Sequence, residues 1–234
     1  MVRFFLILYC IVFFIPTCLS AQRSAHPDSL ALVYSPEEVK KAGYMLLVNK
    51  SHRLPDGYVP KNLKYANNVV RCERPDTYLD SIALGYLKQM FNAAKQEDIE
   101  LIFYDGWRPE SLQRQYYVNK IKERGHSLAT TLVAPPRGSE HELGLAADIL
   151  STVHQMRDGH YARTKTGKWL IENCWKYGFI LRYPADKIEI TRFLFEPWHY
   201  RFVGIPEAQQ ITESGYCLEE YLKTIEDYLK TILQ

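Results

Sequence analysis

The chain of 234 residues has few cysteines, and none of its five is in a CxxC pair. That argues against a cysteine-bound zinc site. Cys10 and Cys18 lie in the first apolar run, so Cys72, Cys174 and Cys217 remain for a folded domain. Three widely spaced cysteines are no disulfide scaffold, although one bridge among them stays open. Charge of one sign is also missing. The formal net charge is +2, and Arg3 is the only charged residue among the first 21, so its removal takes the net charge to +1. Such a balance points away from nucleic acid as a partner. There is no internal repeat and no low-complexity stretch. An HExxH helix is lacking too: after His141-Glu142 the fifth position is Leu145, and Gly144 interrupts the helix.

The N-terminus carries a targeting pattern. Arg3 precedes an apolar run from Phe4 to Ile15, Pro16 breaks it, and Leu19-Ser20-Ala21 follow. This is the layout of a cleaved secretory signal over residues 1–21, and the run is short for a membrane span. The expectation is an exported protein with no stable anchor after cleavage; an uncleaved anchor is the main alternative. Gln22 rather than cysteine follows Ala21, which argues against a lipoprotein.

Residues 22–44 read as an N-terminal extension and 45–234 as one catalytic domain, of a size that buries a real core. Residues 22–76 look irregular, with turn signals at Pro55-Asp56-Gly57 and Pro60. Leu79, Ile82, Ala83, Tyr86, Leu87, Met90, Phe91 and Ala94 follow helical spacing, with Asp76 or Thr77 placed to cap. A strand over 100–104, a helix over 109–124, a loop over 126–140 and a buried strand over 145–150 follow. A helix over 167–177, strands near 179–183 and 193–202, and a closing helix over 217–232 complete the chain. The mixture predicts an α+β domain: helices packed on a small, mostly antiparallel sheet, with the site in a cleft.

Two segments hold the chemically unusual residues. In Ser139-Glu140-His141-Glu142-Leu143-Gly144-Leu145-Ala146-Ala147-Asp148, an aspartate interrupts an apolar strand. An ionised carboxylate there is costly unless paired or metal-bound. In Glu196-Pro197-Trp198-His199-Tyr200, a glutamate precedes a histidine by three. Catalytic zinc takes about three His or carboxylate ligands and leaves a position for water. His141, Asp148 and His199 meet that requirement for one Zn2+ per chain, and Glu196 is the general base that hydrolysis needs. The competing reading makes Glu196 a structural partner of an arginine such as Arg201. In the turn Tyr104-Asp105-Gly106-Trp107-Arg108-Pro109, Arg108 can project from a strand end to clamp a carboxylate or steady an oxyanion. His26, His52, His126, His154 and His160 stand in polar stretches and read as solvated.

Together these segments resemble the VanY-type D-alanyl-D-alanine carboxypeptidases, the zinc peptidase family that also includes VanX-type D-Ala-D-Ala dipeptidases. The resemblance spans roughly residues 45–225. It runs through Leu54-Pro55-Asp56-Gly57-Tyr58, Asp105 to Arg108, Ser139 to Asp148, Tyr177 to Pro184 and Glu196 to Arg201. It implies zinc on His141, Asp148 and His199, Glu196 as base, and Arg108 in catalysis and substrate binding. It also implies substrate contacts from Gln113 and Ser139. The implied substrate is a peptidoglycan stem peptide or a small peptide ending in D-Ala-D-Ala. The alternatives are a D-Ala-D-Ala dipeptidase or an L,D-carboxypeptidase. Asp105 stands where the carboxypeptidases usually have serine, and Arg192 where glycine is common.

Overall fold

The computed structural model describes residues 32–232; the signal-like stretch 1–21 lies outside them. In chain order the strands are β1 (Leu32–Val33), β2 (His52–Arg53), β3 (Leu63–Tyr65), β4 (Tyr78–Asp80), β5 (Leu101–Asp105), β6 (Ala146–Ser151), β7 (Phe179–Leu181) and β8 (His199–Phe202). The helices are α1 (Pro36–Ala42), α2 (Ser81–Gln96), α3 (Glu110–Arg124), α4 (His126–Leu132), α5 (Glu140–Leu143), α6 (Lys165–Asn173), α7 (Ile188–Thr191), α8 (Ile205–Ser214) and α9 (Leu218–Ile232).

The central sheet has the order β5-β6-β8-β7, and every pairing in it is antiparallel. The minor pair β3-β4 is antiparallel and β1-β2 parallel. One α+β domain with a small, mostly antiparallel sheet is therefore what forms. All six residues of β6 are buried, which is why its apolar run does not alternate. Helix α2 covers the sheet with Ala83, Leu84, Leu87, Met90 and Ala94. Each fully buried leucine among them contributes about 1.5–3 kcal/mol. Tyr34 and Tyr44 pack against the same core, and Tyr34 donates to Leu47 O at 3.0 Å, so residues 32–44 are tied to the domain.

Several boundaries differ from the sequence reading. Helix α2 is capped by Asp80, whose Oδ1 accepts from the amides of Ile82 and Ala83. Asp76 and Thr77 do not cap it, because Tyr78–Asp80 first pair with β3. Residues 126–132 form helix α4 rather than loop. Only Ala129 in it is buried, so it carries no apolar period to read. The strand expected over 193–202 begins only at His199, since Glu196-Pro197-Trp198 makes the turn that leads into it. Helix α1, capped by Ser35 with Glu38 reciprocating, and helix α8, which buries Ala208 and Ile211, are additions. Arg192 ends α7 at φ 62°, a left-handed backbone that explains the glycine common there in the resembled family. Cys72, Cys174 and Cys217 are all free thiols, with Cys174 in the core.

Candidate metal centre

Sheet register builds the site. Asp105 on β5 pairs with Asp148 on β6, and Asp148 pairs with His199 on β8. One row across the sheet therefore sets these three side by side. His141 arrives from α5, a single turn that ends at Gly144 with φ 78° so that the chain can enter β6 at once. Ser139 caps that turn, its Oγ accepting from His141 N at 3.3 Å.

His141, Asp148 and His199 are buried, and each offers one ligand atom within 4.8 Å of the others. Asp148 Oδ1 lies 3.3 Å from His141 Nε2 and 3.1 Å from His199 Nδ1. Tetrahedral zinc with ligands near 2.0 Å has ligand-to-ligand edges of roughly 3.3 Å, so the spacing suits it. The far side of each ring is also held. His141 Nδ1 is 2.6 Å from Gly106 O, and His199 Nε2 is 3.5 Å from Glu140 Oε2. A proton on each of those nitrogens turns the lone pairs of His141 Nε2 and His199 Nδ1 toward Asp148. Gly106 can be nothing larger: a Cβ there would stand 2.3 Å from Tyr78 O.

Electrostatics agree with ligation. Burial opposes ionisation of Asp148, but His141 and His199 hold it well below the usual carboxylate range. Burial, with Arg108 beside it, pushes His141 down, which favours the neutral ligand form. His199 moves the other way. Burial acts against its charged form, yet the bonds to Asp148 and Glu140 raise it to about 9. A divalent cation held by the same groups would take the place of that proton.

Glu196 Oε2 lies 3.9 Å from His199 Nδ1, and its side chain is 12% exposed. Burial, helped by Asp148, pushes its carboxyl up to about 7, against the pull of His199, Arg157 and Arg108. Arg201 is not its partner. Arg201 bonds Glu140 Oε1 at 2.8 Å and the carbonyls of Tyr44 and Leu46. Arg182 bonds the same Glu140 oxygen at 2.7 Å and grips Glu219 of α9 with its other two nitrogens. Glu140, wholly buried and held ionised by these arginines despite burial, is the residue that sequence reasoning missed.

Arg108 reaches the group but is enclosed: Nε donates to Asp105 at 3.1 Å, Nη1 to Gln113 at 2.8 Å, and Nη2 is 3.7 Å from Asp148 Oδ2. Gln113 is fully buried and spans Arg108 and Ala134 O, so it meets the centre only through Arg108. A hollow of about 500 Å³ is lined by Asp158, Gly159, His160, Ala162, Arg163 and Phe195, none of them a residue of the metal group. His52 and His154 are half-buried rather than fully solvated: His52 stacks on Tyr34 and His154 on Tyr161.

The comparisons with known proteins agree with this geometry. The family model described as "VanY: D-alanyl-D-alanine carboxypeptidase" matches residues 76–205. The putative carboxypeptidase YodJ of Bacillus subtilis (strain 168) is 36% identical over 201 residues, covering 85% of this chain and 72% of its own length. The structure of the LdcB LD-carboxypeptidase superposes with TM-score 0.74 at 36% identity, over 82% of this chain and 90% of that one. A mutant of the D,D-pentapeptidase VanY in complex with Zn(II) superposes with TM-score 0.65 at 36% identity, over 76% of this chain and 98% of that one. Zinc is the metal in that relative, and the His141-Asp148-His199 group is able to bind such an ion here. The chain belongs to the VanY D-alanyl-D-alanine carboxypeptidase family.

Proposed function

We propose that this protein is an exported zinc carboxypeptidase that removes the terminal D-alanine from stem peptides ending in D-alanyl-D-alanine. The observation that carries the reading is Glu196. Among the described residues its carboxylate makes no hydrogen bond, yet it stands 3.9 Å from a ligand nitrogen, partly open to water.

His141, Asp148 and His199 would hold the zinc, which supplies Lewis-acid polarisation of the scissile carbonyl and acidifies water. Glu196 takes the proton of the attacking water and hands it to the leaving amine. A carboxyl raised toward neutrality suits both halves of that transfer. Arg108 is locked by Asp105 and Gln113, so its remaining nitrogen is pre-aimed at the negative charge growing on the carbonyl oxygen. Gln113 acts by holding Arg108. Ser139 acts by capping the turn that presents His141.

Export rests on the Arg3, apolar-run and small-residue order of residues 1–21. Among the described residues no helix is long and apolar enough to cross a membrane. The likeness to LdcB supports a second reading, L,D-carboxypeptidase activity. Three peptides separate the readings: a pentapeptide stem ending in D-Ala-D-Ala, the tetrapeptide lacking the last residue, and free D-Ala-D-Ala. Mass spectrometry should find one D-alanine lost from the pentapeptide. Cleavage of the tetrapeptide alone supports the L,D reading, and of the free dipeptide alone, the dipeptidase. Cleavage of none refutes all three.

A further inference from the structure

Arg157 lies on the segment after β6 that connects to the Gly159–Arg163 turn. Its Nη1 donates to Asp148 Oδ2 at 3.3 Å, the carboxylate oxygen that faces away from the two histidines. Its guanidinium lies 5.0 Å from the ring centroid of Tyr104, and Arg74 lies 5.0 Å from the same centroid. The Arg157 side chain is 39% exposed, against 8% for Arg108. Among the described residues the other nitrogens of Arg157 make no hydrogen bond. A planar cation with unused N–H groups is thus fixed beside the metal group and open to solvent.

A structural role explains this poorly. Asp148 is already bonded by His199 and paired with His141 and Arg108. A further half-exposed ion pair adds little stability. The charge balance supplies a better reason. Arg74, Arg108 and Arg157 match Asp105, Asp148 and Glu196, so a bound dication leaves the site positive and in need of an anionic ligand. A carboxypeptidase substrate has its terminal carboxylate three bonds from the scissile carbon, roughly 3–4 Å away. The group that receives it must therefore stand beside the metal group with donors to spare: Arg157 has them, whereas Arg108 spends Nε on Asp105 and Nη1 on Gln113 and keeps one nitrogen, for the oxyanion.

We propose that Arg157 receives the terminal carboxylate of the peptide and so confines cleavage to chain ends. This rests on the peptidase reading above. The test compares a pentapeptide ending in a free D-alanine carboxylate with its C-terminal amide, using the zinc-loaded wild type, Arg157→Gln and Arg157→Lys. Zinc content and melting curves are measured on each protein. On the free acid, Arg157→Gln should raise KM roughly 10- to 100-fold with little change in kcat, since a charge-assisted bond to substrate is lost. Lysine should recover part of that loss. On the amide the wild type should already be weak, and Arg157→Gln should cost no more than about threefold, because the partner charge is gone. Equal losses on acid and amide, an unchanged KM on the acid, or lost zinc in Arg157→Gln would each overturn the proposal. A zinc-loaded wild type that cleaves neither peptide would instead refute the peptidase reading, and this proposal with it.

Discussion

Replacing Glu196 with glutamine should move catalysis and stability in opposite directions. Glutamine keeps the volume and can still bond water, but it cannot accept a proton. With zinc bound, kcat should fall roughly 10²- to 10⁴-fold, the usual contribution of a positioned base. KM and zinc stoichiometry should stay near wild type. In the metal-free protein the same change should stabilise. Burial lifts the Glu196 carboxyl from its ordinary 4.5 to about 7, so ionising it costs folding free energy. That cost is full above pH 7, shrinks as the pH falls through 7, and is gone below the unfolded value near 4.5. A shift of this size corresponds to roughly 3 kcal/mol at most, and less once the water reaching a partly exposed carboxylate is counted. For a domain this long, a gain of about 1–3 kcal/mol raises the melting temperature by roughly 2–10 °C. The assay is one preparation measured three ways: kcat with zinc, zinc content, and metal-free melting at pH 5 and pH 8. The melting gain should appear at pH 8 and shrink at pH 5. A mutant with wild-type kcat, or one that melts below the wild type at pH 8 without metal, would refute the reasoning.

Other expectations follow from the same geometry. Alanine at His141, Asp148 or His199 should each abolish stoichiometric zinc, measured by atomic absorption after dialysis; retention in any one removes that residue from the ligand set. Arg108→Lys should keep zinc but lose most turnover, since lysine cannot engage Asp105, Gln113 and the substrate together; near-normal kcat would leave Arg108 a structural role. Glu140→Gln should weaken zinc binding roughly 10- to 100-fold by loosening His199. Glu219→Gln, which disturbs the Arg182 pair and the Asn49 bond but touches no ligand, should lower the melting temperature and spare zinc affinity; equal zinc affinities in the two mutants would deny Glu140 that role.

The ligand residues were legible because each breaks a local rule. Asp148 sits in a strand that is otherwise apolar, and Gly144 leaves room for only one helical turn around His141. Glu140 breaks no such rule. Its arginine partners stand 42 and 61 residues away, and only sheet pairing brings them to it. The functional weight of Arg157 was hidden for the same reason, since Asp148 meets it by the fold of an irregular segment. Helix α2 announced itself through five buried positions at helical spacing, whereas α4 buries one residue and α8 two. The start of α2 was misplaced because Asp76 and Thr77 are sound caps locally, and a tertiary pairing of β4 overrode them.

Zinc dependence is the central point, and one titration tests it directly. Protein stripped with a chelator should be inactive on a pentapeptide stem ending in D-Ala-D-Ala. Activity should return in proportion to added zinc and level off at one equivalent per chain, with His199→Ala showing no return. Full activity in the stripped protein, or recovery that ignores the His199 substitution, would contradict a zinc centre built from His141, Asp148 and His199.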